Sequence, residues 1–135
     1  MPAREKPQKR LYFKCKTLSL IHILGKRWTI DVMEILSSER KAQFNYMLKR
    51  LNGVTPRALS NILSDLSMAQ VIQKVETKKH GAVHTSYSLT DKGRIFEDFI
   101  RSSKQLGVDL YSIDAGCVNR NCRECELNTL TSKSG

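Results

Sequence analysis

Apolar side chains recur along most of this chain at helical spacing, interrupted by one short interval of alternation. Leu20, Ile21 and Leu24 form one face, and Gly25 stops it, so a first helix is expected from Leu18. Trp28, Val32, Ile35 and Leu36 carry a second helix, which Ser37 and Ser38 end. Phe44, Met47, Leu48 and Leu51 fall at i, i+3, i+4 and i+7, the stripe of a third helix, and Asn52 and Gly53 follow as a turn. The fourth helix, Pro56 to Met68, is the best specified. Thr55 is an N-cap that accepts from first-turn amides, and Pro56 at the first helical position loses no hydrogen bond.

Leu59, Ile62, Leu63 and Leu66 make the buried stripe of that fourth helix. Arg57, Ser60, Asn61 and Ser64 fall on the opposite face, with Asp65 the one nearby acid. A purely structural helix would more often carry Glu and Lys there for i,i+4 pairs. Val71, Gln73 and Val75 then alternate with Ile72, Lys74 and Glu76 as a strand does, and Thr85 to Leu89 returns as a second strand. Between them, Thr77 to His84 reads as a polar loop with a cationic tip of Lys78, Lys79, His80 and His84. Thr90 caps a last long helix whose apolar members are Ile95, Phe96, Phe99, Ile100 and Leu106, with Asp91 suited to its dipole. The order helix, turn, helix, basic hairpin is that of a winged helix-turn-helix, mainly α with a small β-hairpin wing.

Charge sharpens this picture. The formal net charge is +10, from 23 basic and 13 acidic residues among 135, so polyanions are the expected partners. Residues 1–16 hold Arg4, Lys6, Lys9, Arg10, Lys14 and Lys16 against Glu5, a basic arm for phosphates or a solvated tail. No apolar run approaches the roughly 20 residues of a membrane-spanning helix, and the N-terminus lacks a secretory h-region, so a cytoplasmic protein is expected. The chain divides into this arm, a DNA-binding and dimerisation domain over residues 17–110, and a cysteine-containing tail over 111–135.

Several segments together resemble the HxlR-type branch of the MarR-like winged-helix transcription regulators, over roughly Cys15 to Leu106. They are Cys15 ahead of a helix, the segment GKRWT at 25–29, Phe44 opening a helix, GVTPRAL at 53–59 and YSLTDKG at 87–93. The chain departs from the family's usual pattern at Arg27, which separates Lys26 from Trp28, at Gln43, at His80 and Gly81 in the wing, and at Ala69 and Gln70, where the family has a Gly. The resemblance implies a homodimer joined by its terminal helices, with two recognition helices spaced for a pseudo-palindromic duplex site.

The tail adds a different chemistry. Cys117, Cys122 and Cys125 follow the spacing C-x4-C-x2-C, which lets several thiolates face one centre. Zinc takes four such ligands, and an iron–sulfur cluster uses similar spacers. Cys15 is the natural fourth ligand if the terminal helices meet at a dimer interface, and His22 a weaker one. Free thiols, a redox disulfide or a tail without function stay open, and Cys15 by itself also reads as a small buried hydrophobe.

The sequence therefore points to a sequence-specific DNA-binding regulator, a repressor, gated by a metal, iron–sulfur or thiol redox centre. Thr55, Arg57, Ser60, Asn61, Ser64, Lys78, Lys79, His80 and His84 are its expected DNA contacts. No nucleophile–base pair, paired carboxylates or Gly-rich phosphate loop supports an enzyme. An electron carrier built on the cysteines, or an RNA- or protein-binding winged helix, are the alternatives.

Overall fold

A computed structural model describes residues 14–126 and residue 128. Among the described residues, five helices, α1 (Lys16–Leu24), α2 (Thr29–Glu39), α3 (Phe44–Arg50), α4 (Pro56–Met68) and α5 (Asp91–Tyr111), accompany a three-stranded antiparallel sheet. Its strands β1 (Lys41–Ala42), β2 (Ile72–Lys79) and β3 (Ala82–Leu89) lie in the order β1-β3-β2. This is the winged helix-turn-helix expected from the pattern. Most of the basic arm, residues 1–13, lies outside the described residues.

The core sits where α2, α3, α4 and the base of the hairpin converge. Val32, Ile35 and Leu36 of α2, Met47 of α3, and Leu59, Ile62, Leu63 and Leu66 of α4 are all buried there. Fully burying such a side chain contributes about 1.5–3 kcal/mol, so the stripe on α4 is what fixes that helix to the body. On α1 the buried residue is Ile23, whereas Ile21, expected on the inner face, is half exposed. The connector after Gly25 is tied back to this turn, the hydroxyl of the buried Thr29 donating to the Ile23 carbonyl at 2.6 Å.

The start of α4 follows the sequence reading, with Thr55 Oγ1 accepting from the Ala58 amide at 3.1 Å. Its end is a Schellman motif without glycine. The Val71 amide donates to the Leu66 carbonyl at 3.1 Å and the Gln70 amide to Ser67 at 3.0 Å, while Gln70 takes φ 65°. Gln70 thus occupies the left-handed position where the resembling family has a glycine.

The wing differs from expectation. Residues 77–84 are not a loop: pairing runs from Ile72↔Leu89 out to Lys79↔Ala82. Only His80 and Gly81 form the turn, with φ 53° and 78°. Positive φ at both central residues suits a tight two-residue hairpin, and Gly81 meets that demand without strain. β1 pairs with β3 as Lys41↔Ser88 and Ala42↔Tyr87, anchoring the wing's base to the α2–α3 connection. Two residues carry no readable period, so the sequence pattern does not predict this strand.

Helix α5 begins as expected, with Thr90 Oγ1 accepting from the Gly93 amide at 3.0 Å. Phe96 and Ile100 face the core, but Ile95, Phe99, Leu106, Leu110 and Tyr111 remain exposed. Beyond it the chain forms two short 3-10 turns, Ala115–Asn119 and Cys122–Glu124, packed on α5 and α2. Among the described residues no helix is long and apolar enough to cross a membrane.

Candidate nucleic-acid interface and cysteine tail

The outward face of α4 carries the residues chosen from the sequence. Thr55, Arg57, Ser60 and Asn61 are exposed and Ser64 is half-buried. Asp65 is different. It is 2 % exposed and accepts from Lys26 Nζ at 2.8 Å, so the one acid expected near that outward face belongs to the buried side. The outer face is left with a guanidinium, an amide and hydroxyls, groups that bond base edges and phosphates.

Lys78, Lys79, His80 and His84 are all exposed on the hairpin. His84 does not belong to the tip: it lies on β3 opposite Thr77. Lys79 and His84 line a groove of about 550 Å³ together with Lys41, Gln43 and Tyr46 from the α2–α3 connection and α3. Sequence reading missed these last three, because β1 brings them beside the wing. The Arg50 guanidinium lies 5.4 Å from the Tyr46 ring centroid on the same surface.

Among the described residues, no group of three or more His, Cys, Asp or Glu could hold a metal ion. Cys15, Cys117, Cys122 and Cys125 therefore do not form a ligand set within one chain. Cys15 is exposed just ahead of α1, which removes its reading as a buried hydrophobe, and the amides of Leu18 and then Thr17 pull its thiol below the ordinary range. Burial, reinforced by the charge of Glu34, pushes the Cys122 thiol up to about 11.

What organises the tail is a carboxylate instead. Glu34 of α2 accepts from Lys104 Nζ and from the Cys122 amide, each at 2.9 Å, and from the Arg123 amide at 3.3 Å. Lys104 also donates to the Arg120 carbonyl at 2.9 Å. Asn128 Nδ2 donates to the Cys122 carbonyl at 2.9 Å and to Asp31 Oδ1 at 3.3 Å. Asp31 is buried, and that burial raises its carboxyl above the usual range, with the nearby Glu34 charge adding to the effect.

Against this geometry, a model of the HxlR-like helix-turn-helix family matches residues 23–113. The chain belongs to the HxlR-like helix-turn-helix family. No curated protein sequence matches it. Among solved structures, this HxlR-like chain is similar to the reduced form of the transcriptional regulator YodB from B. subtilis. The identity is 20 %, covering 76 % of this chain and 97 % of that one, with a TM-score of 0.63. A MarR-family regulator described as putative, from Enterococcus faecalis V583, aligns at 20 % identity over 83 % of this chain and 94 % of that one, TM-score 0.62. The redox regulator HypR in its reduced form aligns at 20 % identity over 70 % and 92 %, TM-score 0.59. At these identities the likeness establishes the fold.

Proposed function

We propose that this HxlR-like protein is a transcription regulator, a repressor, that binds duplex DNA sequence-specifically as a homodimer. The observation that carries the reading is the division of α4. Leu59, Ile62, Leu63 and Leu66 are buried, while Arg57, Ser60 and Asn61 project outward beside a cationic wing. A helix held by its apolar stripe can present its outer face to the major groove, where Arg pairs with guanine edges and Asn with adenine. Lys78, Lys79, His80 and His84, with Lys41 beside them, supply phosphate contacts that orient the helix without reading sequence.

Dimerisation is supported by the exposed apolar surface of the terminal helices. Leu18 and Ile21 of α1 and Ile95, Phe99 and Leu106 of α5 are exposed. Leu20, Ile21, Ile95, Phe96 and Phe99 line an apolar groove of about 400 Å³ between those helices. A second copy covering it would set two α4 helices for two half-sites. Selection of duplexes from a random pool, followed by titration of the enriched and scrambled duplexes and of an RNA of the same length, tests the reading. A strong preference for the enriched duplex supports it; equal binding to all three excludes it.

Thiol chemistry is favoured over a metal centre as the gate. The four cysteines would need donors from a second chain to build a metal site, whereas Cys15 presents an exposed thiol whose lowered pKa favours the thiolate, the form that attacks. The fold shared with HypR, a redox regulator, is consistent with that choice.

A further inference from the structure

Three consecutive side chains of the α1–α2 connector reach three different parts of the protein. Lys26 Nζ meets Asp65 on the buried side of α4 at 2.8 Å. Arg27 Nη1 donates to Asn128 Oδ1 in the tail at 3.2 Å and lies 3.7 Å from Asp31 Oδ2. Trp28 lies beside the turn that feeds α4, its Cη2 being 3.9 Å from where a Cβ on Gly53 would stand. The Arg27 guanidinium also sits 4.3 Å from the Trp28 ring centroid.

The connector itself is held firmly. The Gly25 amide donates to Ile21 at 3.0 Å, the Lys26 amide to Ile23 at 3.1 Å and the Thr29 amide to Lys26 at 3.3 Å. Thr29 is fully buried, and its hydroxyl holds the Ile23 carbonyl. Lys26, Arg27 and Trp28 are therefore carried on one hydrogen-bonded turn. On the tail side, Asn128 joins Arg27 to the Cys122 carbonyl, and Glu34 holds the Cys122 and Arg123 amides.

We propose that Lys26 and Arg27 are positioning residues that join the docked cysteine tail to the recognition helix, so that tail docking sets the affinity of α4 for DNA. The proposal rests on the DNA-reading role given to α4. Contacts run from the Cys122 backbone through Asn128 to Arg27, and from the adjacent Lys26 to Asp65. The two-state element is the tail, docked on Glu34 and Asp31 or released. Coupling is reciprocal, so operator binding also tightens the docked tail.

Trp28 is the single tryptophan of the chain and lies at the junction, so its emission reports the connector directly. The experiment is a cycle of Asn128→Ala, Arg27→Gln and the double variant of the full chain, with Arg27→Lys as a charge-retaining control. It reads Trp28 emission without DNA, hydrogen exchange of α4 amides, and affinity for enriched and scrambled duplexes. Each single change is expected to shift the emission, speed exchange in α4 and weaken the enriched duplex about fivefold or more. Scrambled-duplex affinity should hold, Arg27→Lys should recover part of the loss, and the double variant should be no worse than the weaker single one. Unchanged emission and exchange in Asn128→Ala, or fully additive losses in the double variant, would overturn the proposal. If the wild type prefers no duplex, the DNA-reading role fails instead, and emission and exchange still decide whether tail and helix are coupled.

Discussion

A Cβ placed on Gly93 would stand 2.1 Å from the carbonyl oxygen of Val71, the same oxygen that accepts from the Thr90 amide at 3.1 Å. The first turn of α5 thus lies backbone to backbone against the residue that leads from α4 into the wing. Only glycine permits this approach, and the obstacle is a carbonyl that cannot rotate away. Gly93→Ala is expected to cost on the order of 3 kcal/mol, the upper range for overpacking. The midpoint of urea unfolding checks this, with an unchanged slope showing that the loss is one of stability.

Gln70 offers the opposite change. Its φ of 65° is a left-handed conformation that glycine adopts freely, while its side chain accepts from Lys92 Nζ at 2.7 Å on the surface. Gln70→Gly should gain up to about 1 kcal/mol, since relief of the backbone outweighs a screened surface contact. The bond from the Thr90 side-chain hydroxyl to the Gln70 carbonyl, 2.6 Å, survives the substitution. A loss of thermal stability would show that the Lys92 contact matters more than the backbone conformation.

Much of the fold was legible because it is local. The bounds of α4, its Leu and Ile stripe, the Thr55 cap and the Thr90 cap each depend on residues within a turn of one another. What escaped reading is non-local. Asp65 stands next to polar positions in sequence, yet its partner Lys26 is 39 residues away. The tail was read as cysteine spacing, whereas Glu34 binds it through the Cys122 amide, 88 residues distant, and any residue type could supply that amide. β1 and the groove beside the wing were missed for the same reason: Lys41 and Ala42 become a strand only when β3 is beside them. The outward residues of α4 were found because amphipathic periodicity marks the face opposite a core as clearly as the core itself.

The thiols should differ in reactivity. At neutral pH a short iodoacetamide pulse is expected to alkylate Cys15 first and Cys122 last, read by peptide mass mapping. Attack requires thiolate, which the amides at the start of α1 favour for Cys15 and burial disfavours for Cys122. Cys122 has a sign in stability too. Its thiol ionises near 9.0 when unfolded and about 11 when folded, so its contribution is complete below the lower value and lost as pH rises through that window. Equal alkylation of the two cysteines would mean that the tail is not held on Glu34.

Lys78 and Lys79 should act on all duplexes alike. If both meet phosphates, replacing the pair by Ala should lower the slope of log affinity against log salt by about 1.8, two contacts at about 0.9 each. Enriched and scrambled duplexes should weaken by the same factor. Weakening confined to the enriched duplex would assign sequence reading to the wing.

The central claim is that the outer face of α4 reads bases, and Arg57→Ala and Asn61→Ala test it most directly. Both side chains project from a helix held by its opposite stripe, so unfolding midpoints should barely move. The measurement is the affinity of each variant for the enriched duplex relative to a scrambled one. The account predicts a loss of about 1–3 kcal/mol on the enriched duplex for each variant, with scrambled binding nearly unchanged. Undiminished preference for the enriched duplex in both variants would contradict it.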